Sequence, residues 1–207
     1  MSNDLTPHTP AGSGILAMIR ASAGAVEPIM ARRVEQAWRI RGLPVPRGPE
    51  DEALARKLLD MLPHSDVLRE QADALARAVY GAATEDEREA MFSAMVDRNP
   101  NGRWIENKLI YIEGLAEDTN GYSCEVIYTA ARRIRRESHN LPAASEFLKA
   151  ANKARDDYVS ALKATDTMLE RRFKAEDILD AIEIEASCAA GRIDGTASDD
   201  FNDDIPF

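Results

Sequence analysis

Apolar side chains recur at spacings of three and four residues through most of this chain, a period typical of amphipathic helices. Leu54, Leu58 and Leu62 follow it between residues 50 and 63, and later segments repeat it. No segment alternates apolar and polar residues in the manner of a strand. The pattern predicts an all-α fold, a small helical bundle with a long C-terminal helix and disordered N- and C-terminal tails.

The longest predicted helix begins at Leu141-Pro142 and carries a seam of apolar or small residues. The seam consists of Phe147, Ala151, Ala154, Tyr158, Leu162, Thr165 and Leu169. Steps of four and three residues indicate about three heptads of a coiled-coil-like surface. The seam packs either within the chain or against a second copy, and its small residues favour the first. The apolar phase changes after Leu169, so a kink or a second helix near Lys174 stays open.

Prolines, glycines and shifts in composition divide the chain into four parts. They are a disordered or weakly ordered arm (1–27), a basic amphipathic helix with a Pro-rich linker (28–49), a helical domain (50–187) and a flexible acidic tail (188–207). Pro28 is expected to open the basic helix and Gly42 to close it. Thr84 and Glu87 have the spacing of a capping box at the start of another helix.

Charge limits the classes of partner. The chain has 207 residues, 44% of them hydrophobic and 30% charged, with a formal net charge of −10. A chain this acidic lacks a general footprint for nucleic acid, so any DNA contact has to be a local basic patch. The N-terminal residues lack the basic and apolar regions of a signal peptide, and no run approaches the length of a membrane span. We expect a cytoplasmic protein.

Residues suited to catalysis or metal binding are scattered. Cys124 and Cys188 lack neighbouring histidines at zinc-ligand spacing, and His8, His64 and His139 form no cluster. There is no Gly-rich loop ending in Lys and Ser or Thr to hold phosphates. We therefore expect a protein that is not an enzyme and that uses neither a metal nor a cofactor.

Four arginines form a basic end on one predicted helix: Arg132, Arg133, Arg135 and Arg136, the arginine cluster. They are a possible nucleic-acid-binding site, because their guanidinium groups could bind backbone phosphates. They could equally offset Glu137 and neighbouring acidic faces while complementing their own helix C-terminus. A third reading is that they hold the acidic tail of the chain. All three readings stay open.

The chain closes on an acidic run followed by apolar residues, and these are the expected partner-binding residues. They are Asp199, Asp200, Phe201, Asp203, Asp204, Ile205, Pro206 and Phe207. A pocket with an apolar floor and a basic lip could hold both the ring and the carboxylate of Phe207. Pro206 restricts the backbone and lowers the entropy lost on binding. The aspartates would steer the peptide toward a basic surface.

This terminal segment resembles the C-terminal tip of bacterial single-stranded-DNA-binding proteins, in which an acidic stretch also closes on Asp-Asp-Ile-Pro-Phe. The resemblance covers only the tip, because nothing in the chain predicts the oligonucleotide-binding barrel of those proteins. It implies that the partners are proteins that bind the tip of single-stranded-DNA-binding proteins.

A second resemblance covers residues 104–150. Tyr111-Ile112-Glu113-Gly114-Leu115, a helix with Ala130, Arg133 and Arg136, and then Leu141-Pro142-Ala143-Ala144-Ser145-Glu146-Phe147 follow one another in this order. This order is similar to that in bacteriophage replication proteins of the helicase-loader and replisome-organiser kind. It implies that the helical body contacts a replicative helicase.

Together these features suggest a non-enzymatic adaptor in bacterial or phage DNA replication, recombination or repair. A helical body would bind one partner, and the tail would recruit proteins that read the tip of single-stranded-DNA-binding proteins. One alternative is a decoy that occupies the tip-binding pockets of host proteins. Another is a direct single-stranded-DNA binder that uses the arginine cluster.

Overall fold

The computed structural model describes residues 11–99, 101–102, 107–138 and 140–194, and within these ranges the chain forms seven α-helices and no strand. In chain order the helices are α1 (Ala11–Arg41), α2 (Glu52–Met61), α3 (Ser65–Tyr80), α4 (Glu85–Arg98), α5 (Lys108–Asp118), α6 (Cys124–Glu137) and α7 (Ala144–Asp194). A short 3₁₀ turn, Pro49–Asp51, precedes α2. The predicted all-α architecture with a long C-terminal helix is confirmed.

Helix α7 is the element against which most of the others pack. It contacts α1, α2, α3, α5 and α6. The seam residues Phe147, Ala151, Ala154 and Tyr158 are fully buried, so the seam packs within the chain. The helix continues without interruption past Lys174, so no second helix begins there.

The buried stripe on α7 keeps a heptad spacing past the middle of the helix. One set of buried positions lies seven residues apart: Phe147, Ala154, Ala161, Met168 and Ala175. A second buried set has the same spacing: Ala151, Tyr158, Thr165 and Arg172. The predicted seam leaves this stripe at Leu162 and Leu169, each one residue beyond the heptad position, and Leu169 is only half-buried. The change of apolar phase in the sequence therefore reflects the positions of these two leucines rather than a break in the helix.

Two apolar clusters form the core, and α7 runs through both. The larger cluster joins α1, α3, α4, α5 and α6 to the first half of α7 around Phe92, Phe147 and Tyr158. The smaller cluster joins the end of α1, α2 and the start of α3 to the second half of α7 around Leu58 and Met168. The side chain of Arg172 adds polar contacts there, because its Nη1 donates to the carbonyls of Leu59 (3.2 Å) and Leu62 (3.1 Å).

Two predicted boundaries are wrong. Helix α1 begins at Ala11, and Pro28 lies inside it rather than at its start. The proline removes one backbone hydrogen bond. Ile19, Ala23 and Val26 are buried in the body, and this burial offsets the loss and holds residues 11–27 in the helix. At the other end, residues 188–194 belong to α7 and not to a separate tail.

Several predicted helix ends are confirmed. Helix α1 ends at Arg41, directly before Gly42. Thr84 and Glu87 form the capping box of α4: the Thr84 amide donates to the Glu87 carboxylate at 2.8 Å, and the Glu87 amide donates to the Thr84 hydroxyl at 3.3 Å. Backbone amides that the first turn of a helix leaves free are satisfied by donating to these capping side chains.

Among the described helices, one stretch of α1, Gly14–Arg41, is long and apolar enough to cross a membrane by length and composition alone. No stretch of that length was expected from the sequence. The core helix of a soluble protein and a signal sequence pass the same test, so one such helix is weak evidence. Helix α1 contributes Ile19, Ala23, Val26 and Met30 to the buried core, and 22% of the apolar window is buried.

Candidate functional site

The arginine cluster on α6 is divided between structural and exposed side chains. Arg132 forms an ion pair with Glu27 of α1, and Arg133 forms one with Asp157 of α7 at 2.8 Å. These two side chains tie α6 to its neighbours. Arg135 and Arg136 are exposed in the last turn of the helix. The cluster is thus not a single basic surface, and His139 lies outside the described residues.

A pocket of about 420 Å³ opens beside the exposed end of the arginine cluster, between α1, α4 and α6. We call it the basic-rimmed pocket. Its apolar wall comes mainly from Leu16, Met91, Phe92, Met95, Ile127 and Ile134, and its basic side chains are Arg20, Arg98, Arg132 and Arg135. The volume falls within the range of pockets that bind small ligands or peptide side chains.

No acidic residue is among the described residues that line the basic-rimmed pocket. Arg20, Arg98 and Arg135 are exposed, and no ion pair joins them to another described residue. Acidic side chains outnumber basic ones by 36 to 26 in the chain as a whole. The pocket therefore has a local charge opposite in sign to that of the protein, and it suits an anionic ligand with an apolar part.

Packing between α4 and α7 fixes the floor of the pocket. The rings of Phe92 and Phe147 meet edge to face with centroids 5.1 Å apart. Both residues are buried, and an edge-to-face aromatic pair contributes about 0.5–1.5 kcal/mol beyond the burial of its surface. The two methionines on α4, Met91 and Met95, lie one turn apart on the same wall. Their flexible, polarisable side chains adapt to irregular apolar ligands.

The segment that precedes α7 forms another side of the pocket, through Leu141 and Pro142. The Tyr111 hydroxyl on α5 donates to the Pro142 carbonyl at 2.7 Å and holds this segment in place. Burial, with a smaller contribution from the charge of Glu146, raises the pKa of Tyr111 to about 12. The hydroxyl therefore remains protonated and able to donate throughout the neutral range.

The residues behind the second resemblance have structural roles here. Besides the bond from Tyr111, the carboxylate of Glu146 accepts a hydrogen bond from the Ala143 amide at 3.1 Å, at the start of α7. Phe147 is fully buried, and Arg133 is paired with Asp157. The structure brings these residues together around the junction of α5, α6 and α7. Their contacts give these residues roles in packing and helix capping.

The terminal segment with the expected partner-binding residues, 199–207, lies outside the described residues. The last described part of the chain leads toward it. Residues 183–189 of α7 are all exposed, on every side of the helix, and Ile184 is 63% exposed. A helix exposed on all sides packs against nothing in the described body. This end of α7 therefore projects from the bundle.

The environment of Cys124 does not suit a reactive thiol. Burial is the main cause that raises the pKa of the Cys124 thiol to about 12, and the charge of Glu87 adds to it. A thiol with a raised pKa is a poor nucleophile near neutral pH. Within the described ranges, no group of three or more His, Cys, Asp or Glu residues could hold a metal ion.

Sequence reasoning missed Arg20 and Arg98 as members of a site. Arg20 is the one charged residue between Gly14 and Val26, and Arg98 ends α4. Each looks ordinary in its own helix, and only the packing of α1 and α4 against α6 brings them near Arg135.

Comparison of the chain with protein-family models, curated proteins and solved structures finds no match. A functional proposal for this protein therefore depends on the chemistry of its own residues and on the resemblances in its sequence.

Proposed function

We propose that this protein is a non-enzymatic adaptor in bacterial or phage DNA replication, recombination or repair. In this proposal the terminal segment, residues 199–207, docks on proteins that read the tip of single-stranded-DNA-binding proteins. The observation that carries the proposal is the sequence of the last five residues, Asp-Asp-Ile-Pro-Phe, after an acidic run. The helical body would contact a second partner, with a replicative helicase as the candidate.

The projecting end of α7 supports this proposal. Because residues 183–189 are exposed on every side, the helix carries the chain away from the bundle before residue 195. From Glu183 to Asp194 the rise is about 16 Å at 1.5 Å per residue. A recognition peptide attached there is accessible to a bulky partner without a clash against the body.

The chemistry of the terminal segment fits recruitment rather than permanent assembly. Burial of the Phe207 ring would contribute about 1.5–3 kcal/mol, and one charge-assisted pair to its carboxylate about 1.5–3 kcal/mol. Asp203 and Asp204 add mostly to the association rate, because exposed charges steer an encounter more than they hold a complex. Together these terms stay well below the roughly 12 kcal/mol of a nanomolar complex, so we expect reversible binding that is micromolar at best.

The direct test is binding of the purified full-length protein to a purified bacterial protein that reads the tip of single-stranded-DNA-binding proteins. Titration calorimetry should give micromolar binding for the intact chain, and removal of Phe207 should weaken it by at least about tenfold. The matched control carries a Gly-Ser-Gly-Ser extension before Met1, while the test variant carries the same extension after Phe207. Only the C-terminal extension should abolish binding, since only it masks the carboxylate.

Equal binding by the intact chain and the variant without Phe207 would overturn the docking function. A partner of the helical body distinguishes the adaptor function from the rival decoy function. An adaptor variant lacking Phe207 should still retain a partner on its helical bundle, whereas a decoy has no such partner. The rival DNA-binding function predicts that a variant without residues 199–207 binds single-stranded DNA with a steep salt dependence, because arginine contacts to phosphates release counterions.

A further inference from the structure

We propose that the basic-rimmed pocket binds the terminal segment, residues 203–207, of a second copy of this chain. Ile205 and Phe207 would occupy the apolar wall, and Asp203, Asp204 and the terminal carboxylate would meet the arginines at the rim. This inference goes beyond the proposed function, because it concerns the helical body rather than the proteins that the tail recruits. It also stands independently of that function.

Charge complementarity is the first argument. Arg20, Arg98 and Arg135 are exposed at the rim without an ion pair to another described residue, and no described acid lines the pocket. Residues 199–204 carry four aspartates and no base. An arginine guanidinium binds a carboxylate through two parallel hydrogen bonds, and an array of three such groups suits a peptide with several carboxylates.

Apolar complementarity is the second argument. The pocket has a volume of about 420 Å³ and an apolar wall that includes Met91, Met95 and Ile134. A ligand that was only anionic, such as a phosphate, would leave this wall exposed to water. The terminal segment has both parts in the required order, with its aspartates next to Ile205 and Phe207. A peptide with apolar anchors beside acidic residues matches a wall and rim of this kind.

Chain length determines which copy supplies the peptide. The pocket lies at the level of Phe147, whose ring contacts the pocket residue Phe92. Helix α7 continues without a break to Asp194, about 70 Å further along its axis at 1.5 Å per residue. The residues from 195 to 207 span at most about 45 Å when fully extended. The segment cannot reach the pocket of its own chain while α7 is intact, so it has to come from another copy.

Such an interaction is head-to-tail, because the pocket of one copy receives the tail of the next. Heterologous contacts of this kind form rings or open chains, rather than the closed dimer that a symmetric interface produces. The pocket and the tail lie at opposite ends of α7, which favours an extended arrangement. We therefore expect weak, concentration-dependent association with no fixed limit at two copies.

The first experiment measures peptide binding with a receptor whose own tail cannot compete. The receptor is the full-length variant Ile205→Ser/Phe207→Ser, and the probe is a fluorescent peptide of residues 199–207. Anisotropy should show micromolar binding that weakens as salt rises. Adding Arg135→Glu to the receptor should weaken it by about tenfold or more, since one charge-assisted contact is replaced by a repulsive one.

Arg136→Glu is the matched control. Arg136 is exposed in the same last turn of α6 and next to Arg135, but it does not line the pocket. The Arg136→Glu substitution should change the affinity of the receptor for the peptide by less than about twofold. Equal losses for the two variants would overturn the pocket assignment, because only general charge would then matter. Equal binding of a peptide with serine at positions 205 and 207 would overturn it as well.

The second experiment tests association of whole chains by sedimentation velocity. The wild-type protein should associate as its concentration rises, while the Ile205→Ser/Phe207→Ser variant and the Arg135→Glu variant should each remain monomeric. An equimolar mixture of the two variants should form a 1:1 complex, because one supplies an intact pocket and the other an intact tail. A mixture that stays monomeric would reject the proposal.

Two results would assign the pocket to another occupant. The Ile205→Ser/Phe207→Ser receptor could bind a single-stranded oligonucleotide but not the peptide. That result would show that the arginines at the rim bind nucleic acid instead. Association of wild-type chains that neither variant reduces would place the contact between copies elsewhere. Arg135→Glu leaves the tail intact and should still bind tip-reading proteins, so failure of the pocket proposal is distinguishable from failure of the adaptor function.

Discussion

The hydroxyl groups of Thr129 on α6 and Tyr158 on α7 lie 3.1 Å apart in the core, and both residues are fully buried. This hydrogen bond is a polar link inside an apolar cluster, at the centre of the contact between the two helices. A buried hydroxyl that loses its partner keeps the full cost of its desolvation. The link should therefore be visible in the stability of the protein.

We predict that Tyr158→Phe lowers the free energy of unfolding by about 1–2 kcal/mol. The substitution keeps the ring and leaves the Thr129 hydroxyl without its partner on α7. Urea denaturation followed by circular dichroism gives the measurement. The double variant Tyr158→Phe/Thr129→Val removes both hydroxyls and should recover part of the loss. A single variant as stable as the wild type would show that the bond contributes nothing.

Alkaline pH should destabilise the protein through the same tyrosine. Burial is the largest cause that raises the pKa of Tyr158 from 10 to about 12. Above about pH 10 the unfolded chain loses this proton while the folded chain keeps it, so stability falls as pH rises through about 12. The full loss for one group corresponds to about 2–3 kcal/mol. The difference between wild type and Tyr158→Phe should shrink over this window, since the variant lacks the group.

The two halves of the arginine cluster should respond differently to substitution. Arg133→Ala removes the ion pair to Asp157 between α6 and α7 and should cost about 1–2 kcal/mol of stability, because both partners are about three-quarters buried. Arg136→Ala, on the exposed side of the same helix, should change stability by less than about 0.5 kcal/mol. Thermal unfolding of the two variants in parallel is the measurement. Equal effects would contradict the division of the cluster.

Substitution of Arg172 should lower the free energy of unfolding more than substitution of most other arginines. Its Nη1 donates to the carbonyls of Leu59 and Leu62 at the end of α2, and its Nε lies 2.8 Å from the Glu176 carboxylate. Arg172→Met keeps much of the apolar stem but leaves these acceptors unpaired, so we expect a loss of about 2–3 kcal/mol. Arg56→Met is the control, because its pair with Glu52 is exposed and should contribute little.

The acidic residues near the C-terminus should affect binding less than Phe207 does. Asp203→Asn with Asp204→Asn should weaken binding to tip-reading proteins by a few-fold and flatten its salt dependence, because these charges steer more than they anchor. Calorimetry at two salt concentrations measures both quantities. The helical body should keep its melting temperature. A loss as large as that caused by deletion of Phe207 would assign an anchoring role to the aspartates.

Local signals made most of the fold predictable. The capping box of Thr84 and Glu87 and the end of α1 before Gly42 depend on neighbouring residues, and the structure confirms both. The seam from Phe147 to Thr165 could be found because its period persists over many turns. The start of α1 could not be predicted from Pro28, because burial of Ile19 and Ala23 by distant helices outweighs a local penalty.

The pocket depends on long-range packing and was hidden from sequence reasoning for that reason. Arg20 and Arg135 are separated by most of the chain, and neither belongs to a periodic pattern that points to the other. The run of four arginines was visible in the sequence, but its division into paired and exposed side chains was not. Only the approach of Glu27 and Asp157 from other helices shows which guanidinium groups are engaged.

The contacts of Arg171 and Arg172 have a consequence for how the protein opens. Arg171 donates to the carbonyls of Arg41 and Leu43 at the end of α1, and Arg172 donates to those at the end of α2. Fraying of either helix end therefore breaks guanidinium–carbonyl hydrogen bonds to α7, which discourages partial opening of the smaller cluster. In hydrogen exchange, amides of α7 near these arginines should open only with the whole molecule, whereas those at 183–189 should exchange early through local fluctuations.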